Sequence, residues 1–190
     1  MARIGLWNTK VFRKKDVQPG VNTGIILLAD TSGSVCEANM EDEYASCLAI
    51  SQALMPEREV KVGFYTFSDE CKEVIPLGAR SMSPYLTRIG TEPERMGTDL
   101  AKALNTVEVT FTMNPNERQT IIVLTDGIPN DYWSAKEVSE RLKSKGCELY
   151  GLYIGDEEMC YPDLFTTVQN VKTYEEVPQA LMEFSKRILR

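Results

Sequence analysis

Ile25-Ile26-Leu27-Leu28-Ala29-Asp30-Thr31-Ser32-Gly33-Ser34 decides how this chain is read. Five consecutive apolar residues after Gly24 have the length and character of a strand buried on both faces. The Asp-x-Ser-x-Ser that ends the run falls where a strand hands over to a helix, the edge at which open α/β sheets hold ligands. One carboxylate and two hydroxyls meet on that turn. Oxygen donors of this kind suit Mg²⁺ or Mn²⁺, which favour oxygen ligands and octahedral geometry. The same residues can also serve as a plain helix cap, with Asp30 accepting backbone N–H groups and Ser32 or Ser34 opening the helix.

Two later segments bear on that choice. Met96-Gly97-Thr98-Asp99-Leu100 places a Thr behind a Gly at the start of a helix. Ile121-Ile122-Val123-Leu124 followed by Thr125-Asp126-Gly127 reads as a second buried strand with an Asp at its C-terminal end. Thr98 as a cap and Asp126 as a turn anchor are the bland alternatives. Taken in order, these residues resemble the von Willebrand factor A family. Its metal ion-dependent adhesion site consists of Asp-x-Ser-x-Ser, a Thr and a distant Asp, matched here by Asp30, Ser32, Ser34, Thr98 and Asp126.

The resemblance runs over residues 21–190 and leaves residues 1–20 as an N-terminal arm. It implies a doubly wound, mainly parallel six-stranded sheet with one antiparallel edge strand and helices on both faces. It also implies a nonenzymatic module in which an Asp or Glu of a partner protein completes the coordination of a bound divalent cation. Movement of the last helix accompanies open and closed forms in the family.

The rest of the sequence agrees with one α/β domain. At 190 residues, with 43% hydrophobic and 26% charged residues, the chain is long enough for a substantial core. A net charge of −7 argues against nonspecific nucleic-acid binding. No apolar run approaches the ~18 residues of a membrane span, and the first 24 residues lack the apolar core of a secretion signal. Five cysteines without a CxxC pair favour free thiols over a disulfide framework, hence a cytoplasmic setting. The absence of histidine excludes Ser-His-Asp and Cys-His catalysis and histidine-ligated zinc.

Strand and helix patterns alternate along the chain. Helices are expected over residues 38–55, with Tyr44, Ala45, Leu48, Ala49 and Ala53 facing inward, and over 81–89, 99–109, 134–145 and 176–189. Strands are expected over 60–67, 71–77 (the edge), 119–127, 149–154 and within 166–174. The arm carries Arg3, Lys10, Arg13, Lys14 and Lys15 against Asp16, and is either a solvated segment or a docking arm anchored by Leu6, Trp7, Val11 and Phe12. On the rim, Trp133 reads as a partner anchor or as a helix-packing residue. Glu92, Glu94, Asp131 and Asp156-Glu157-Glu158 read as cation-retaining or merely solubilising acids, and Ser68-Asp69-Glu70 as a connecting turn.

The lead-in Val11-Phe12-Arg13-Lys14-Lys15, then Thr23-Gly24 and Leu27-Leu28-Ala29-Asp30, also looks like the stretch before the metal motif in cobaltochelatase-type A domains. These work beside MoxR-like or chelatase AAA+ ATPases in bacteria and their phages. The resemblance implies an adaptor for such an ATPase. That ATPase would be a separate protein, because the chain has no Gly-x4-Gly-Lys-Ser/Thr loop. The long acidic region of the chelatase itself is missing. Two further readings stand beside it. Asp30 after a buried strand fits a Mg²⁺-dependent phosphohydrolase, although Ser32 occupies the position of its general acid. An extracellular adhesin is the other.

Overall fold

The computed structural model describes residues 22–33, 37–88, 97–156 and 158–188, without the side chains of 37–40. The arm over residues 1–20 lies outside the described residues, as do Ser34, Cys36, Glu92, Glu94 and Glu157.

Six strands form one sheet: β1 (Thr23–Asp30), β2 (Val60–Phe67), β3 (Cys71–Ile75), β4 (Arg118–Thr125), β5 (Glu148–Ile154) and β6 (Thr167–Val171). Their spatial order is β3-β2-β1-β4-β5-β6. All neighbours pair in parallel except β2 and β3, which run antiparallel at one edge. Parallel strands covered on both faces need continuous apolar sequence, and every residue of β1 is buried.

Among the described residues four α-helices cover the sheet: α1 (Glu37–Leu54), α2 (Leu100–Met113), α3 (Tyr132–Ser144) and α4 (Val177–Ile188). Residue parity along β1 assigns the two cores. Ile25, Leu27 and Ala29 pack with Tyr44, Cys47 and Phe184 under α1 and α4. Ile26 and Leu28 pack with Leu104, Val107 and Leu142 under α2 and α3. Cys47 and Cys147 are buried, one in each core. Among the described residues no helix is long and apolar enough to cross a membrane.

The doubly wound fold expected from the sequence is the observed one, and several details differ. The inward face of α1 is Glu43, Tyr44, Cys47, Ile50, Ser51 and Leu54, whereas Ala45, Ala49 and Ala53 are exposed. Alanine is a good helix former that costs little at a surface, so an alanine-rich stripe does not identify a buried face. Helix α2 starts one residue later than expected and runs to Met113, because Phe111 extends its apolar face. Helix α3 starts earlier, at Tyr132, because Asp131 caps it. Strand β3 stops at Ile75, before Pro76, and the segment expected as a helix over 81–89 is a 3₁₀ helix over Ser83–Arg88 with no buried residue.

Candidate metal centre

The sheet order places β1 beside β4, and the connections that follow them run in opposite directions, from β1 to β2 and from β4 to β5. This is the switch point of an open α/β sheet, and a crevice opens there beyond the strand ends. Asp30 closes β1 and Thr125 closes β4, with Ala29 paired to Leu124 just before them. Asp30 is fully buried. Its Oδ1 accepts a 2.9 Å hydrogen bond from the Ser32 backbone N–H, and its Oδ2 accepts one of 2.6 Å from the Thr125 hydroxyl. Burial raises the Asp30 pKa to about 6, and the nearby Asp126 carboxylate adds to the rise. The Thr125 and Ser32 hydrogen bonds offset part of it.

Thr98 arrives from another part of the chain and is tied to the β4–α3 loop by a reciprocal pair of hydrogen bonds. Its backbone N–H donates to Asn130 Oδ1 at 3.0 Å, and Asn130 N–H donates to Thr98 O at 2.9 Å. The Asp99 N–H donates to Ser68 O at 2.8 Å, so the expected connecting turn after β2 also braces this loop. Asp99, not Thr98, caps α2 by accepting from Lys102 N–H, which leaves the buried Thr98 hydroxyl out of that cap. Gly97 permits the close approach: a Cβ there would lie 2.4 Å from both Asn130 Nδ2 and Asp69 Oδ1.

Asp126 follows Thr125 at the end of β4, and its Oδ2 accepts from the Tyr174 hydroxyl at 3.4 Å. Behind these residues lies Glu43 of α1, almost fully buried. Burial pushes its carboxyl well above the ordinary range, and the charges of Asp30 and Asp126 push in the same direction. Its Oε1 has no hydrogen-bond partner among the described residues.

Asp30, Thr98 and Asp126 thus stand on adjoining loops at one end of the sheet, while Ser34 lies outside the described residues. Among the described residues no three His, Cys, Asp or Glu side chains form a metal-holding group. A cation here would therefore rely on hydroxyls, and the available set is Ser32, Thr98 and the two aspartates. That donor set fits Mg²⁺ or Mn²⁺. The mutual electrostatic penalty among Asp30, Glu43 and Asp126 is of the kind that a divalent cation relieves.

Thr125, Asn130, Tyr174 and Glu43 received no role from the sequence. Glu43 had a legible signal, since residues 43, 47, 50 and 54 make one helical stripe in which the other three are apolar. Of the rim acids, Asp131 caps α3 by accepting from Ser134 N–H, whereas Asp156 and Glu158 are exposed. Trp133 is 75% exposed and is not a helix-packing residue.

Residues 24–161 match the family model described as the von Willebrand factor type A domain. Matrilin-1 of Mus musculus is 25% identical over 144 residues, covering 70% of this chain and 28% of its own length. The chain thus spans well under half of that relative. Among solved structures, proximal thread matrix protein 1 from the mussel byssus, in a form with a zinc-occupied MIDAS motif, is similar with a TM-score of 0.69 and 22% identity. The match covers 86% of this chain and 47% of that one. The SpRpn10 VWA domain is similar with a TM-score of 0.70 and 14% identity, covering 86% and 95% of the two chains. At these identities the structural likenesses establish the fold.

Proposed function

Because the chain belongs to the von Willebrand factor type A family, we propose that it is a protein-interaction module whose binding face is the rim around Asp30, Ser32, Ser34, Thr98 and Asp126. These five residues hold Mg²⁺ or Mn²⁺ in this reading. The cation, when bound, supplies an electrophilic position for an Asp or Glu of a partner protein. Asp30 anchors the centre through its two internal hydrogen bonds, Thr98 offers a hydroxyl on a backbone braced by Asn130, and Asp126 stands steadied by Tyr174. The observation that carries the reading is the buried Asp30 at the sheet's switch point, beside a second aspartate and a Thr98 backbone tied to Asn130.

The domain occupies residues 21–190, with residues 1–20 as a basic arm. It acts in the cytoplasm as an adaptor for a separate MoxR- or chelatase-like AAA+ ATPase. The basic lead-in and the free thiols of Cys47, Cys71, Cys147 and Cys160 speak for this setting. An extracellular adhesin is the second reading, favoured by the likeness to matrilin-1 and to the byssal matrix protein. A phosphohydrolase gains less support, because Ser32 stands where that chemistry needs its general acid.

A pull-down from a lysate of the source cells, in Mg²⁺ and in EDTA, tests the metal-bridged reading when repeated with Asp30→Ala and Asp126→Ala. Capture lost in EDTA and in both variants is the expected result. Capture indifferent to chelation and to both substitutions overturns it. An AAA+ ATPase among the Mg²⁺-dependent captures would favour the adaptor role over the adhesin.

A further inference from the structure

At the end of the sheet opposite Asp30, a groove with about 510 Å³ of free space lies between the α1–β2 turn and the segment that follows β3. Met55 and Pro56 line it from the turn, and Arg80, Met82 and Leu86 line it from the other segment. Met55 and Met82 are half-buried against the core beneath α1 and α4. Leu86 is 47% exposed, on a 3₁₀ helix that buries none of its residues. A contiguous apolar lining left this open is the kind of surface that a further element covers.

The lining selects the chemistry of that element. Methionine is adaptable and its sulfur makes favourable contacts with ring edges, while a guanidinium stacks on an aromatic face. Two methionines and Arg80 around one groove therefore suit an aromatic side chain. The volume falls within the roughly 300–1,000 Å³ of clefts that enclose drug-sized groups, so an indole fits.

The place where the N-terminal arm joins the domain points to the source of that ring. The Thr23 N–H donates to Glu59 O at 2.8 Å. Glu59 is three positions after Pro56, so the chain enters the sheet beside a residue no more than about 11 Å from the groove. Trp7 stands fifteen positions before Asn22. An extended segment of that length reaches about 50 Å, well beyond what the return to the groove needs. The arm carries a net charge of +4 in a chain of −7, which leaves −11 on the remainder. Lys10, Arg13, Lys14 and Lys15 lie between Trp7 and β1, and the exposed Glu57 and Glu59, on either side of Arg58, stand at the entry point. Opposite net charges hold such an arm near its own domain.

We infer that Trp7 of the arm occupies this groove in the same molecule, against Met55, Met82 and the Arg80 guanidinium, so that the arm clasps its own domain. The inference is independent of the metal-bridged reading, because the groove and Asp30 lie at opposite ends of β1.

The sequence holds two tryptophans, so Trp133→Phe leaves Trp7 as the sole indole of the full chain. Its emission is expected to lie to the blue of a water-exposed indole and to resist quenching by acrylamide. Adding Met82→Ser/Leu86→Ser should shift the emission to the red and restore quenching, with the fold of each variant checked by thermal unfolding. Trp7→p-benzoylphenylalanine in an otherwise unsubstituted chain reads the same contact with the groove intact. Irradiation should give an adduct at Met55 or Met82 within the monomer. Emission typical of a solvated indole overturns the inference, as does a blue-shifted emission that the double groove variant leaves unchanged. Adducts found solely between two copies, or solely outside the groove, overturn it as well.

Discussion

The Thr125 hydroxyl, at the last residue of β4, donates a 2.6 Å hydrogen bond to Oδ2 of Asp30, at the last residue of β1. The bond joins the two strands that flank the switch point and fixes the carboxylate on which the candidate centre is built. Thr125→Val keeps the side-chain shape and removes the donor. A buried acceptor left unpaired costs about 1–3 kcal/mol, so denaturant unfolding should show a loss of that order. Thr125→Ser, which retains the hydroxyl, should recover most of it. Equal losses in both variants would mean that packing, not the hydrogen bond, is what Thr125 contributes.

Proton and cation compete for Asp30. Its pKa near 6 in the metal-free protein reflects burial first. Mg²⁺ affinity, measured by calorimetry, should be flat above about pH 7 and fall by up to about tenfold per pH unit as the solution is acidified below 6. Asp30→Asn should remove this dependence together with most of the affinity. An affinity constant from pH 7.5 to 5 would separate Asp30 from cation binding.

Gly97 sets the distance between the Thr98 loop and the β4–α3 loop. In Gly97→Ala the added methyl would meet Asn130 Nδ2 and Asp69 Oδ1 at 2.4 Å, so one of the loops must move. The expected cost is about 1–3 kcal/mol of stability, with a larger proportional loss of Mg²⁺ affinity than Asn130→Ala alone produces. Thermal unfolding and calorimetry on the same samples compare the two effects. Unchanged metal affinity in Gly97→Ala would show that Thr98 does not need its present position.

The sheet was legible because its strands are apolar runs such as Ile25–Ala29 and Ile121–Leu124, and these alternate with helical patterns. The rim was legible to the extent that its residues lie at strand ends, as Asp30 and Asp126 do. Residues that act across the fold gave weaker signals. Asn130 and Tyr174 reach Thr98 and Asp126 from 32 and 48 positions away, and such pairs depend on the register of non-neighbouring elements. The buried face of α1 was misread because small residues satisfy a helical period on either side of a helix. Trp133 was open to two readings, and only the packing of Tyr132 against Tyr161 shows which side of α3 faces water.

Glu43 yields the most direct test of the electrostatics beneath the centre. The buried carboxyl is held well above its ordinary range by burial first, then by the charges of Asp30 and Asp126. A carboxyl that binds its proton more tightly when folded favours the native state at low pH. That advantage is lost as pH rises from the ordinary carboxylate range through the raised value. Asp30 acts in the same direction between its ordinary value of 3.8 and about 6. Metal-free protein should therefore lose stability as pH rises from about 4 towards 7, and saturating Mg²⁺ should restore part of it. Glu43→Gln cannot ionise, so its stability should decline less over the same range and exceed that of the unsubstituted chain at neutral pH without metal. Denaturant unfolding at pH 5 and pH 8, in EDTA and in Mg²⁺, gives the four values needed for each protein. Parallel pH profiles for the two proteins in EDTA would show that burial does not tighten the hold of Glu43 on its proton.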